Sequence, residues 1–185
     1  SCGKAAFGVG LRVVDSEDND VPVGEVGEVI IKSDLNMKGY WNGPEATAEA
    51  IKDGWFYSGD VSYFDNEGFL YIHDRVKDMI VSGGENIYPA EVENALLSHP
   101  NIADAAVIGI PDEKWGEATK AFIVQVEGEK LSEDEVISYV RTQIAGYKCP
   151  KTVDHINELP RNPSGKILRK DLRAPFWEGK DRNVS

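Results

Sequence analysis

The chain has 185 residues with 20 Lys or Arg and 32 Asp or Glu, which gives a formal net charge of −12. With 41% hydrophobic residues it can build a folded core, but no apolar run approaches the roughly 20 residues that a membrane-spanning helix requires. Because binding to a nucleic-acid backbone depends on a basic face, the acidic composition also argues against a nucleic-acid partner.

The cysteines and histidines predict neither a disulfide framework nor a metal site. Cys2 and Cys149 are far apart, and the three histidines have no pair at helical i, i+4 spacing. We therefore expect no metal ligands in this chain and a reducing, cytoplasmic compartment. The chain begins with Ser1 and has no early apolar stretch, so we expect a fragment or a processed chain without a signal peptide.

The first 74 residues have the alternating apolar pattern of β structure. Apolar runs at residues 9–13 and 26–31 flank a polar turn and predict a hairpin. A short helix is predicted over residues 44–51, and a second hairpin turns at residues 65–68.

From residue 75 onward, helical and strand patterns alternate. Helices are predicted after Pro89, after the capping-box spacing of Ser132 and Glu135, and over residues 167–172. Strands are predicted over residues 78–81, 102–110, 118–126 and 152–156. We therefore expect an α+β fold with two domains, 1–74 and 75–185.

Tyr57-Ser58-Gly59-Asp60 places a carboxylate after a hydroxyl and a glycine. A carboxylate can accept hydrogen bonds from both vicinal hydroxyls of a ribose, as acidic residues do in other nucleotide-binding folds. Ser-Gly-Asp is also common in surface turns, and taken alone the motif is compatible with that structural role.

Arg75, the Gly83-Gly84 pair and Lys166 are further candidates. The Arg fork can bind ribose or phosphate oxygens, and adjacent glycines allow a thin ligand to approach the backbone. The structural alternative is a surface ion pair beside a hairpin turn. Lys166 ends a Pro/Gly-rich loop and can meet developing negative charge, although a lysine after a turn is often only solvated. The loop lacks the Gly-x4-Gly-Lys-Ser/Thr pattern of a Walker loop.

Six motifs occur in order along the chain: Gly27-Glu28, Gly39-Tyr40-Trp41, Tyr57-Ser58-Gly59-Asp60, Asp74-Arg75-x-Lys77-Asp78, Ser82-Gly83-Gly84-Glu85-Asn86-Ile87-Tyr88-Pro89-x-Glu91-x-Glu93 and Pro160-x4-Gly165-Lys166. Together they resemble the later motifs of the adenylate-forming superfamily, which includes acyl-CoA synthetases, luciferases and peptide-synthetase adenylation domains. The resemblance covers nearly the whole chain and is strongest to bacterial fatty-acyl or aryl-CoA ligases. The departures are Ser58, where the family often has Thr, and Asp74, where Gly is common.

The resemblance implies two half-reactions at one site. A carboxylic acid is activated with Mg·ATP to an acyl-adenylate and pyrophosphate, and the acyl group then passes to the thiol of coenzyme A with release of AMP. By motif match, Asp60 would bind the ribose hydroxyls and Arg75 would contact the nucleotide. Lys166 would bridge the substrate carboxylate and the α-phosphate, as the catalytic residue.

The resemblance also implies a domain rotation between the half-reactions. Lys77 matches the hinge position about which the C-terminal domain would swing. After that rotation, Gly83 and Gly84 would line the pantetheine tunnel, where the absence of a Cβ leaves room for the thiol arm.

The fold implied is a β-rich remnant of the barrel-like subdomain of the large N-terminal, AMP-binding domain in 1–74, followed by the small mobile C-terminal domain in 75–185. The phosphate loop, the Mg²⁺ ligands, the adenine-binding segment and the acyl pocket would lie upstream, so we expect the chain alone to be inactive. An incomplete barrel leaves apolar strand surface exposed, which favours self-association into a homo-oligomer.

Two alternatives remain open at this point. The acceptor could be the thiol of a carrier protein instead of coenzyme A, which an acceptor assay would decide. The chain could also be a noncatalytic module that binds a nucleotide or a partner, although retention of Asp60, Arg75 and Lys166 argues against it. The sequence does not identify the carboxylic acid, its chain length or an aromatic preference.

Overall fold

The computed structural model describes residues 1–179, which divide into two compact units. The first unit is Ser1–Val76, and the second begins at Lys77. The boundary expected from the sequence, after residue 74, lies two residues before this division. The fold is α+β, as predicted, with two five-stranded sheets and four α-helices in the part of the chain described.

The first unit is one antiparallel sheet with a short helix. Its strand order is β1-β2-β4-β3, and β5 also pairs with β4. Both predicted hairpins are present, and so is the predicted helix. The elements are β1 Gly10–Val14, β2 Gly27–Lys32, α1 Pro44–Ala50, β3 Ile51–Lys52, β4 Trp55–Phe64 and β5 Leu70–Arg75.

The core of the first unit follows from strand alternation. The register pairs Leu11 with Ile31 and Val13 with Val29, so alternate residues of β1 and β2 point to the same face. Val13 and Val29 are buried with Leu70 of β5. The period-two pattern seen in the sequence is therefore the pattern that builds this core.

The second unit begins with a 3-10 turn at Val76–Asp78 that overlaps the division between the units. Its sheet has the order β10-β9-β6-β7, with β8 paired to β9. All pairings are antiparallel except that of β9 with β10. The elements are β6 Ile80–Ser82, β7 Glu85–Ile87, α2 Pro89–Leu97, β8 Ile102–Asp112, β9 Gly116–Gln125, α3 Glu133–Gln143, β10 Thr152–His155 and α4 Arg169–Trp177.

Both faces of the second sheet are covered. In β8, Ala105 and Val107 face a core shared with α2 and α3, whereas Ala106 and Ile108 face a second cluster that includes Phe176 of α4. Burial on both faces explains why β8 reads as a nearly continuous apolar run. No helix among residues 1–179 is long and apolar enough to cross a bilayer.

Helix boundaries match the local signals in two cases and differ in one. Pro89 is the first residue of α2, and Ser132 and Glu135 form both hydrogen bonds of a capping box at α3. The helix predicted over residues 167–172 instead starts at Arg169 and continues through Pro175. Beyond the proline, Trp177 Nε1 donates a hydrogen bond to the Gly109 carbonyl at 2.9 Å, which connects the end of α4 to β8.

Candidate functional site

Asp60, in the middle of β4, is the cross-strand neighbour of Arg75, the last residue of β5. Arg75 Nε lies 3.0 Å from Asp60 Oδ1, and the two side chains are 24% (Asp60) and 53% (Arg75) exposed. The pair is therefore held together by the register but remains open to solvent. A carboxylate and a planar guanidinium in this arrangement can both turn to polar groups of a ligand.

The Tyr57–Asp60 motif lies inside β4, so the surface-turn alternative is wrong. Ser58 Oγ donates to the Val29 carbonyl at 2.7 Å and accepts from the Asp60 N–H at 3.1 Å. Gly59 has φ +72°, and its N–H donates to Glu28 Oε1 at 2.8 Å. A left-handed residue in mid-strand needs glycine, and these contacts fix the direction in which the strand presents Asp60.

Gly83 and Gly84 form the two-residue turn of the β6–β7 hairpin, with φ of +62° and +86°. Two successive positive φ angles are typical of a type I′ turn, which favours glycine. Gly83 also donates its N–H to the Trp115 carbonyl at 2.8 Å. A Cβ at Gly83 would lie 2.6 Å from Trp115 Cε3, so the indole packs directly on this turn.

A groove of about 660 Å³ opens beside Gly83 within the second unit. Its wall combines two exposed aromatic side chains with two exposed cations and two exposed carboxylates, namely Trp115, Tyr147, Arg141, Lys151, Glu85 and Asp134. Flat rings can stack on a heterocyclic base, and cations can bind phosphate oxygens. Sequence reasoning predicted the glycine of this wall but not the aromatic and cationic side chains beside it. The available signal was Trp115 in a loop between two strands, where it is not needed for a core.

One cation of the groove already has a partner. Lys151 Nζ lies 2.8 Å from Asp112 Oδ2, and its ring distance to Trp115 is 5.9 Å. The pKa of Asp112 is lowered, most strongly by the hydrogen bond from Lys151. The backbone N–H groups of Trp115 and Lys114 lower it further. The carboxylate therefore stays ionised and holds the lysine at the groove edge.

Lys77, the predicted hinge residue, lies at the division between the two units. It is exposed, and its carbonyl accepts a hydrogen bond from Arg173 Nη1 at 3.3 Å. The next residue, Asp78, is buried and lies 3.1 Å from Arg173 Nη2. The chain is thus fastened to the second unit immediately after the predicted hinge.

Lys166 is exposed at the end of a tight loop before α4. Within the described residues 1–179, its ammonium forms no ion pair at 4.0 Å or less. Gly165 has φ +82°, a left-handed backbone angle that favours glycine. The ammonium is therefore exposed to solvent and forms no salt bridge with any residue in the described range 1–179.

The predicted site residues fall into two groups. Asp60 and Arg75 belong to the first unit, whereas the predicted hinge, glycine pair and catalytic lysine belong to the second. Among residues 1–179, no group of three or more His, Cys, Asp or Glu side chains is arranged to hold a metal ion.

Comparison with known proteins gives the family. Residues 91–166 match the family described as "AMP-binding enzyme C-terminal domain", and residues 1–41 match "AMP-binding enzyme". The chain belongs to the adenylate-forming superfamily of AMP-binding enzymes. This agrees with the ordered motifs and with the exposed lysine that closes the last of them.

Members of this superfamily that are similar to the chain include bacterial ligases. A feruloyl-CoA synthase from an Amycolatopsis species is 48% identical over 95% of this chain and 36% of its own length. The fatty acid–[acyl-carrier-protein] ligase ScoC of Streptomyces coeruleorubidus is 45% identical over 96% of this chain and 34% of its own. The structure of o-succinylbenzoate CoA synthetase (MenE) from Bacillus subtilis, in complex with its acyl-adenylate intermediate, has a TM-score of 0.84 and 40% identity over 100% of this chain and 36% of that one. The chain thus spans about a third of the length of the relatives it matches.

Proposed function

We propose that the chain is the C-terminal part of an AMP-forming acyl-CoA synthetase, an ATP-dependent acid–thiol ligase. The observation that supports this most is the exposed ammonium of Lys166 on a loop whose motif closes the ordered series of the superfamily. Residues 1–76 would belong to the large AMP-binding domain, and the unit beginning at Lys77 would be its mobile C-terminal domain. The chain without upstream segments would not catalyse.

In the first half-reaction, a carboxylate oxygen attacks the α-phosphorus of ATP and pyrophosphate leaves. Asp60 would accept hydrogen bonds from the ribose hydroxyls, and Arg75 would contact the nucleotide from the adjacent strand. Lys166 would neutralise oxygens on the carboxylate and the α-phosphate, where negative charge increases in the transition state. Mg²⁺ would be held by residues upstream of this chain.

In the second half-reaction, a thiolate attacks the acyl carbonyl and AMP leaves. The groove beside Gly83 has the chemistry to receive coenzyme A, since Trp115 and Tyr147 offer stacking surfaces and Arg141 and Lys151 offer cations for its phosphates. The glycine turn would let the pantetheine arm pass close to the backbone. Rotation at Lys77 would convert the arrangement for adenylation into the arrangement for transfer to coenzyme A.

The decisive experiment replaces Lys166 in the full-length protein that contains this chain. We expect Lys166→Ala to lower ATP–pyrophosphate exchange by about a hundredfold or more, because a charge-stabilising donor is lost. Transfer from preformed acyl-adenylate to coenzyme A should be retained. Lys170→Ala, an exposed lysine on α4, serves as the matched control and should leave both half-reactions unchanged. Full exchange activity in Lys166→Ala would remove this lysine from its proposed role.

Because the chain is similar to a ligase that acts on an acyl-carrier protein, a carrier-protein thiol must be tested as the alternative acceptor. The same preparation is assayed with coenzyme A and with a phosphopantetheinyl carrier protein, after activation of a panel of small carboxylic acids. Faster transfer to coenzyme A is expected, because the cations of the groove suit its nucleotide phosphates. A protein that supports no exchange with any acid would favour the noncatalytic module.

Two coarser expectations complete the proposal. A reducing, cytoplasmic compartment would suit a chain that has only two cysteines, Cys2 and Cys149, far apart in the sequence. Phe7, Leu35 and Trp41 are exposed apolar side chains of the first unit, and such surface would favour self-association of the isolated chain.

A further inference from the structure

The loop that carries Lys166 is closed by backbone hydrogen bonds on both sides. The Asn162 N–H donates to the Lys166 carbonyl at 2.9 Å, and the Gly165 N–H donates to the Asn162 carbonyl at 2.9 Å. One residue further out, Arg161 and Ile167 form a β-bridge. The tip is therefore a compact turn and not an extended flexible arm.

One side-chain oxygen organises the inside of this turn. Asn162 Oδ1 accepts hydrogen bonds from the Lys166 N–H at 2.9 Å, from the Ser164 N–H at 3.0 Å and from Ser164 Oγ at 2.8 Å. Asn162 is half-buried, whereas Ser164 and Lys166 are exposed. Three donors thus converge on one acceptor, and one of them is the backbone of the predicted catalytic lysine.

Arg161 fastens the turn to the sheet. Its Nη1 donates to the Gly165 carbonyl and its Nη2 to Asp104 Oδ2, both at 2.6 Å. Asp104 lies at an irregularity in the register between β8 and β9. The guanidinium therefore connects the residue before Lys166 to a strand of the second unit.

We propose that Asn162 is a positioning residue for Lys166, with Arg161 as its support. Asn162 fixes the backbone from which the lysine side chain extends. Only the side-chain rotamers of Lys166 must then be ordered in the transition state. This inference rests on the proposed function, because Asn162 acts only through Lys166 and has no contact with the substrate of its own. Preorganised donors are worth most when they need no rearrangement at the moment of reaction.

The test measures both half-reactions of the full-length protein with Asn162→Ala. This variant loses the hydrogen bond from the Lys166 N–H together with the two from Ser164. We expect about a tenfold drop in the rate of adenylation, which corresponds to about 1.4 kcal/mol. Transfer from preformed acyl-adenylate to coenzyme A should stay within twofold, and so should the KM for ATP. Asn162→Asp, which keeps the acceptor oxygen, should recover most of the exchange rate.

Two further variants separate positioning from a general structural role. Ser164→Ala removes a donor to the same oxygen but no bond to Lys166, and it should leave exchange within twofold of the unchanged protein. Asn162→Ala added to Lys166→Ala should cause no additional loss, because a residue that acts through the lysine has nothing left to position.

The outcomes also distinguish this inference from the proposed function. If Lys166→Ala loses exchange and Asn162→Ala does not, the inference is overturned and the proposed function stands. Equal loss of both half-reactions in Asn162→Ala, or additive loss in the double variant, also overturns it. If Lys166→Ala retains exchange, both fail together.

Discussion

The Asp60–Arg75 pair and the charged cluster beneath α4 use the same side-chain types in opposite ways. Asp60 and Arg75 share one contact of 3.0 Å, and the arginine is 53% exposed. In the second unit, Arg169 donates from Nη2 to both oxygens of Glu93 at 2.8 and 2.7 Å, and the side chains are 21% and 10% exposed. Glu93 Oε1 also accepts the Val107 backbone N–H at 2.8 Å.

The cluster extends to the residue that follows the predicted hinge. Asp78 is buried and lies 3.1 Å from Arg173 Nη2 and 3.9 Å from Arg169 Nη1. Charges taken out of water need such multiple partners, whereas an exposed pair can exchange its protein partner for a ligand at little cost. The difference indicates that the buried cluster stabilises the second unit, whereas the open pair is accessible to solvent.

The largest effect is expected from breaking the buried cluster. Arg169→Met keeps an apolar stem but leaves Glu93 without its bidentate donor, so the free energy of unfolding should fall by about 3–5 kcal/mol. Urea unfolding of the chain, followed by tryptophan fluorescence, measures this. Arg12→Met at the surface pair with Asp20 is the matched control, with an expected cost below about 1 kcal/mol. Similar costs for the two variants would contradict the distinction between buried and open charges.

An intermediate effect is expected at the wall of the groove. Gly83→Ala and Gly84→Ala both place an alanine at positive φ, which costs about 1–2 kcal/mol each. Only Gly83→Ala also pushes on Trp115, since a Cβ at Gly84 meets nothing within 4 Å. Overpacking should therefore destabilise Gly83→Ala by about 1 kcal/mol more and shift the tryptophan emission spectrum. Identical unfolding curves and emission spectra for the two variants would contradict this, because the indole would then move aside at no cost in free energy.

Local signals in the sequence were sufficient to predict most of the helices and strands. The capping box at Ser132 and Glu135 and the first-turn position of Pro89 act through neighbouring backbone groups, so short-range patterns identify them. The course of α4 through Pro175 could not be predicted, because a proline usually ends a helix and the contact of Trp177 with the Gly109 carbonyl joins residues far apart in the sequence. The parallel pairing of β10 with β9 is likewise a property of the assembled sheet.

The candidate site was predictable as separate motifs but not as contacts. Asp60 and Arg75 were identified individually, and only the register of β4 and β5 shows that they form a pair. Asn162 gave no signal, since asparagine in a Pro/Gly-rich loop is typical of any turn. Its importance emerges only from the three donors that converge on its oxygen.

The smallest effect on stability is expected at the open pair, where the effect on binding should be large. Asp60→Asn should change the free energy of unfolding by less than about 1 kcal/mol, because both side chains are accessible to water. Hydrogen bonds to a charged group are worth about 1.5–3 kcal/mol, so the affinity for AMP should fall about tenfold to a hundredfold in the full-length protein. Isothermal titration with AMP measures this loss, with Asp20→Asn as the control. A variant that is clearly destabilised yet binds AMP normally would make the open pair a structural one.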